Sequence, residues 1–246
     1  MTASGSGFLL LLGYALLPAI GNLVGVALAE WVRTPRWAIG AALHAAAGIA
    51  IALVAVDLMP RVLDTLPMWV TVACFLLGAA FSLLLWLGVG ALRSRFGGAR
   101  GTALMVYVAI GADLFSDGLL VGAGSAVSGG LGLLIGATQT VANIPGGFAA
   151  TRNMQEEGTP RGRRWLLGLL LFLPVLASAS IGYWLLGDRS TFVQSAALAF
   201  VVGVLLLATI EDMVPEADRP QAARWVSTLS FAAGFAGLSL IAGYVD

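Results

Sequence analysis

Eight times along the chain, an apolar stretch long enough to cross a bilayer ends in a short polar break. The stretches fall at about 7–29, 37–59, 68–92, 102–126, 129–151, 164–186, 191–213 and 223–244. Each is close to the ~20 residues that a helix needs to span a ~30 Å hydrocarbon core. The pattern predicts one all-α membrane domain over residues 1–246 with eight transmembrane helices. The opening MTASGSGFLLLLGYALLP has no basic n-region and no small-residue cleavage site, so it reads as the first span rather than a removable signal. The longest break, TRNMQEEGTPRGRR (151–164), reads as a loop. The shortest, VSGGL (127–131), makes the fourth and fifth spans a tight hairpin.

Composition agrees: 59% of residues are hydrophobic, 11% are charged, and the mean hydropathy is +0.93. All 13 basic residues are Arg, and no polybasic tail points to nucleic acid. Eleven of them follow odd-numbered spans: Arg33, Arg36, Arg93, Arg95, Arg100, Arg152, Arg161, Arg163, Arg164, Arg219 and Arg224. Only Arg61 and Arg189 lie in the other breaks. The positive-inside rule puts the Arg-rich breaks in the cytoplasm and both termini outside, in a cell (inner) membrane. The single cysteine, Cys74, allows no intrachain disulfide and no Cys-based zinc site.

Against this background two carboxylates in the fourth span are expensive. On insertion scales each would cost about 2.5–3.5 kcal/mol at the bilayer centre when ionised. Asp113 and Asp117 are spaced i,i+4, which puts both on one helix face. The fifth span carries Gln139 and Asn143 at the same spacing, followed by Pro145, Gly146 and Gly147. Pro145 cannot donate to the carbonyl of Val141, so that oxygen is left for a ligand or water. Two carboxylates, an amide and a freed carbonyl form an oxygen-rich site suited to a hard or borderline cation. The structural alternative is a protonated Asp acting as interhelical hydrogen-bonding glue, with Asn143 and Gln139 as its partners.

One element repeats. The second span ends in Asp57-Leu-Met-Pro60 and the seventh in Asp212-Met-Val-Pro215, near opposite faces of the membrane. An inverted repeat produces that relation. Pro18 and Pro174, in the first and sixth spans, fit the same pairing.

At these positions the chain resembles the ZIP (Zrt/Irt-like) family of divalent-metal transporters, nearest its GufA-like bacterial branch. The family's fourth-span HNxPEGLAVG is similar to Asp113-Leu-Phe-Ser-Asp117-Gly118-Leu-Leu-Val-Gly122, and its fifth-span QNxPEG to Ala142-Asn143-Ile-Pro145-Gly146-Gly147. Its second-span HLLPEA resembles Asp57-Leu-Met-Pro60-Arg61-Val62, and its seventh-span EExIPEA resembles Glu211-Asp212-Met-Val-Pro215-Glu216-Ala217. The four motifs occur in order over nearly the whole chain. The resemblance implies a 3+2+3 arrangement with an inverted repeat, both termini outside, and inward transport of a divalent metal, zinc by family. Asp113, Asp117 and Asn143 would be the metal ligands. No resident cofactor is implied, since the metal is the cargo.

The departures reshape that expectation. Asp113 replaces the family histidine, Asp117 its glutamate, and Leu114, Ala142, Gly146 and Leu173 stand where the family has further ligands. The surviving donors make one all-oxygen site rather than two metal sites, better suited to manganese, iron, magnesium or another hard ion than to zinc. The sole histidine, His44, reads as a satisfied packing residue rather than a ligand, and no His-rich loop is present. Asp57, Gln139, Glu211 and Asp212 are candidates for the transport path or its gates. For Asp57, Glu211 and Asp212 the alternative is an interfacial residue in contact with water. The lost ligands also motivate a second function: a ZIP-fold protein that no longer moves metal and serves as a sensor, partner subunit or carrier of another solute.

An enzyme is not expected. Both central aspartates share one helix, which rules against an intramembrane aspartyl protease, and neither HExxH, GxSxG nor a phosphate-binding loop occurs. The expected partners are a divalent metal ion and the lipid bilayer. The Gly- and Ala-rich spans also permit the close helix contact of a homodimer.

Overall fold

The structure, a computed structural model, describes residues 5–32, 34–96, 102–219 and 222–245; the side chains of 5, 6, 36, 89, 92–96, 102–107, 109, 212 and 243–245 lie outside the description. Arg33 and Arg100, and the side chains of Arg36, Arg93, Arg95 and Asp212, therefore lie outside the described residues.

Eight helical rods run through the described residues. Helix α1 is Gly5–Trp31. Helix α2 starts as Arg36–Ala52 and continues through a π-helical turn, Leu53–Leu58, into Met59–Thr65. Helices α3, α4 and α5 are Met68–Phe96, Thr102–Val127 and Gly129–Glu156. Helix α6 joins Arg161–Leu170 to Phe172–Leu186 through Leu171. Helix α7 runs from Thr191–Ala208 through a second π turn, Thr209–Met213, to Val214–Asp218. Helix α8 is Arg224–Val245. The rods coincide with the eight expected spans. Seven are long and apolar enough to cross a membrane; the exception, α5, carries Thr, Gln and Asn in its middle and buries them. The chain is a helical, multi-pass membrane protein.

Four helix pairs make the most extensive contacts: α1 with α5, α4 with α6, α2 with α8, and α3 with α7. Close backbone approach holds each pair. A Cβ on Gly21 or Gly25 of α1 would collide with the carbonyl of Thr140 or Ile144 in α5, and one on Gly118 or Gly122 of α4 with Val175 or Ala179 in α6. The other two crossings are reciprocal: Gly48 meets Phe231 and Gly234 meets Ala45, while Gly203 meets Phe75 and Gly78 meets Phe200. Lipid tails are as apolar as leucine, so such contact, rather than hydrophobic exclusion, holds membrane helices together. Helices α3 and α8 are the least enclosed, with 22% and 17% of their apolar windows buried.

The two π turns share one cause. Proline lacks an N–H, and its ring crowds the carbonyl four residues back. Before Pro60 and before Pro215 the helix widens by one residue, and each proline's preceding N–H reaches five residues back: Met59 to Val54, and Val214 to Thr209. The repeated tetrapeptides thus adopt the same backbone in both places.

Candidate functional site in the central hairpin

The hairpin is set at its apex. Ser128 is extended, and its hydroxyl accepts from the backbone N–H of Leu131 at 3.1 Å, capping α5. The helices leave the turn in contact, with Gly132 against Ser125 and Gly124 against Ile135. Asp117 and Gln139 each lie eleven residues from Ser128, so they meet at one level, roughly 16 Å from the apex. That depth is about half of a hydrocarbon core.

At that level Asp117, only 4% exposed, receives an amide on each carboxylate oxygen. Gln139 Nε2 donates to Oδ1. Asn143 Nδ2 donates to Oδ2 at 2.6 Å and to the carbonyl of Gln139 at 2.8 Å. Gln139 and Asn143 are themselves buried, and Gln139 Oε1 and Thr138 Oγ1 have no partner. The expected trio of Asp113, Asp117 and Asn143 is only partly assembled. Asp117 and Asn143 meet, whereas Asp113 lies on an exposed face one turn away and Leu114 takes the buried position. Asp113 remains one turn from Asp117 on the same helix, at its more exposed edge, while α4 packs against both α5 and α6.

Two neighbours complete the site. A Cβ at Gly146, the position that the resemblance assigns to a glutamate, would find nothing within 4 Å. Asn22 of α1 packs against Gly147, is 1% exposed, and has neither amide atom bonded. Leaving such a group unpaired costs about 1–3 kcal/mol. Sequence reasoning passed over Asn22; the signal for it is a polar amide inside an otherwise apolar span, four residues after Pro18.

The remaining candidates lie elsewhere. Asp57 is buried in the first π turn and bonded by Arg61, with Nη2 at 2.7 Å and Nε at 3.1 Å, while its Oδ2 has no partner. It is an ion-paired buried group and not a water-exposed one. Glu211, in the second π turn, has a buried, unpartnered Oε2. Asp212 lies in that turn by its backbone. His44 is satisfied on both nitrogens: Nδ1 donates to the carbonyl of Gly40 at 2.9 Å, and Nε2 faces Asp218 Oδ1 at 3.2 Å. Among the described residues no three His, Cys, Asp or Glu side chains converge on one point.

No family model and no curated protein matches this chain.

Proposed function

We propose that this protein moves a divalent cation inward across a cell (inner) membrane, through the α4–α5 hairpin, as a ZIP-like transporter. One observation carries the reading: a carboxylate buried at mid-depth of a tight hairpin, with two rotatable amides on its oxygens. A bare Asp117 would be costly there, and the N–H groups of Gln139 and Asn143 offset that cost. Rotation of the amide groups replaces donors with oxygens, and Asp117, Gln139 and Asn143 then offer a hard cation three ligands. Asp113, one turn toward the Arg-rich end, adds a second carboxylate along the route.

The 3+2+3 inverted-repeat arrangement has support of its own. Exchanging α1, α2 and α3 with α6, α7 and α8, and α4 with α5, converts the α2–α8 crossing into α7–α3 and the α1–α5 crossing into α6–α4. All four are the principal contacts. Gly48 and Gly203 each stand twelve residues before the proline of their own π turn. Two such halves, rocking about a midplane site, are how inverted-repeat transporters alternate access. The distribution of Arg supports both termini outside.

A second reading has its own observation. Each Asp117 oxygen already accepts an amide N–H, as in a hairpin that uses its polar groups only for packing. A protein of that kind would sense, assemble or carry something other than metal. Uptake of several divalent metals into proteoliposomes separates the two. Transport that falls at least about tenfold in Asp117→Ala supports the first reading; flux unchanged in both Asp113→Ala and Asp117→Ala overturns it.

A further inference from the structure

Beside Asn22 lies a cavity between α1, α4, α5 and α6. Its walls include Asn22, Ile110, Gly147, Thr151, Arg164 and Gly168. The space open to the centre of a water molecule is about 10 Å³, about what one water occupies. On a mainly apolar wall three side chains can hold water: both Asn22 amide atoms are unbonded, Thr151 gives its proton to the carbonyl of Gly147 and keeps its lone pairs, and Arg164 adds donors. A bare cation does not suit it, because the polar wall holds a guanidinium and no carboxylate.

The position of the cavity gives it a role. Gly147 is one turn beyond Asn143 on α5, and Ile110 is two turns before Asp117 on α4. The cavity therefore continues the line of the Asp117 site toward the Arg-rich end. Arg164 ends that line. Its Nε donates to Glu30 Oε1 at 2.6 Å and its Nη1 to the carbonyl of Thr159, while Arg161 faces Glu30 Oε2 at 3.4 Å. The Glu30 and Arg164 side chains are 5% and 11% exposed. Gln155 also donates to the carbonyl of Ala29. The end of α1 is thus tied to the start of α6 by charge and to the end of α5 by an amide hydrogen bond, directly beyond the cavity.

We infer that this cavity is a hydrated station on the cytoplasmic limb of the cation path, and that the Glu30–Arg164 pair is the gate closing it. The inference rests on the transport reading of Asp117. A cation leaving Asp117 needs replacement oxygens, which water held by Asn22 and Thr151 supplies. It cannot pass the Arg164 guanidinium until that group swings away from Glu30.

The test reads access rather than transport. In a Cys74→Ala background, Gly168→Cys or Asn22→Cys is labelled with a membrane-impermeant maleimide from the Arg-rich face of oriented vesicles. With the pair intact, both cysteines label slowly. With Glu30→Gln or Arg164→Gln, labelling from that face accelerates at least about tenfold, and elution as a single species in detergent identifies the variants that fold. Equal rates with the pair intact and broken, whether fast or slow, overturn the gate. Metal flux measured on the same vesicles separates the two claims: accelerated labelling without flux upholds the gate and removes the cation as passenger, whereas flux through Asp117 with unchanged labelling removes the gate alone.

Discussion

Asn143 and Asp117 meet across the central hairpin, with Nδ2 of the amide 2.6 Å from Oδ2 of the carboxylate. Removing the donor leaves that oxygen buried with no replacement. Hydrogen bonds to charged groups contribute about 1.5–3 kcal/mol in water-soluble proteins, but interhelical ones in membranes average about 0.6 and reach about 1.7. The membrane scale applies here, weighted to its upper end by the charge. Asn143→Leu is expected to destabilise the protein by about 1–2 kcal/mol, read as a lowered unfolding midpoint in detergent. A loss below the error of the measurement would show that the carboxylate finds another donor.

The open space at Gly146 makes a gain-of-function test available. Gly146→Glu adds a second carboxylate one turn beyond Asn143 at a position where a Cβ meets nothing within 4 Å. Cation affinity rises with the number of charged ligands, so binding of manganese or zinc by calorimetry should tighten at least about tenfold over wild type. Asp117→Ala in the same background should remove most of the gain. Unchanged affinity in Gly146→Glu would mean that the hairpin does not close around an ion.

Helix crossings at glycine are predicted to be the most sensitive apolar positions. Gly203→Ala drives a Cβ into the backbone of Phe75, and Gly48→Ala drives one into Phe231. Overpacking of this kind costs about 1–3 kcal/mol, and a backbone obstacle cannot turn aside as a side chain can. Gly13→Ala meets nothing within 4 Å and should be neutral, or stabilising by up to about 1 kcal/mol from helix propensity. Thermal unfolding of the three variants in one detergent tests the order.

The Asp57–Arg61 pair predicts an asymmetry. The Arg61 side chain is 43% exposed and the Asp57 side chain 5%. Arg61→Gln strands a buried carboxylate, a change that costs about 3–5 kcal/mol in a fully buried pair and less here, about 1–3 kcal/mol, because one partner reaches solvent. Asp57→Asn leaves only an arginine that water can hydrate, and should cost less. Equal losses in the two variants would contradict the burial of Asp57.

Much of the site was legible because the hairpin is short. A turn as brief as VSGGL leaves little freedom of register, so Asn143 could be set opposite Asp117 from the sequence, and the two do meet. Gln139 is the residue that equal distance from Ser128 singles out. The sequence offers it as a path candidate or an interhelical hydrogen-bond partner, and the structure puts it on the same carboxylate. His44 was read as a satisfied residue, and both its nitrogens have partners. Spacing puts Asp113 one turn from Asp117, and only packing decides that Asp117 is buried and Asp113 exposed.

The sequence by itself determined depth: where each helix enters and leaves the apolar layer, how many there are, and which polar groups are stranded in the middle. Hydropathy reports depth because only the ends of a span meet water. It does not report rotation, because lipid and neighbouring helices are equally apolar and no face of a span is marked. Tertiary contact decided rotation. Packing buried Asp117 and left Asp113 exposed, brought Asn22 against Gly147, and set Glu30 within reach of Arg164.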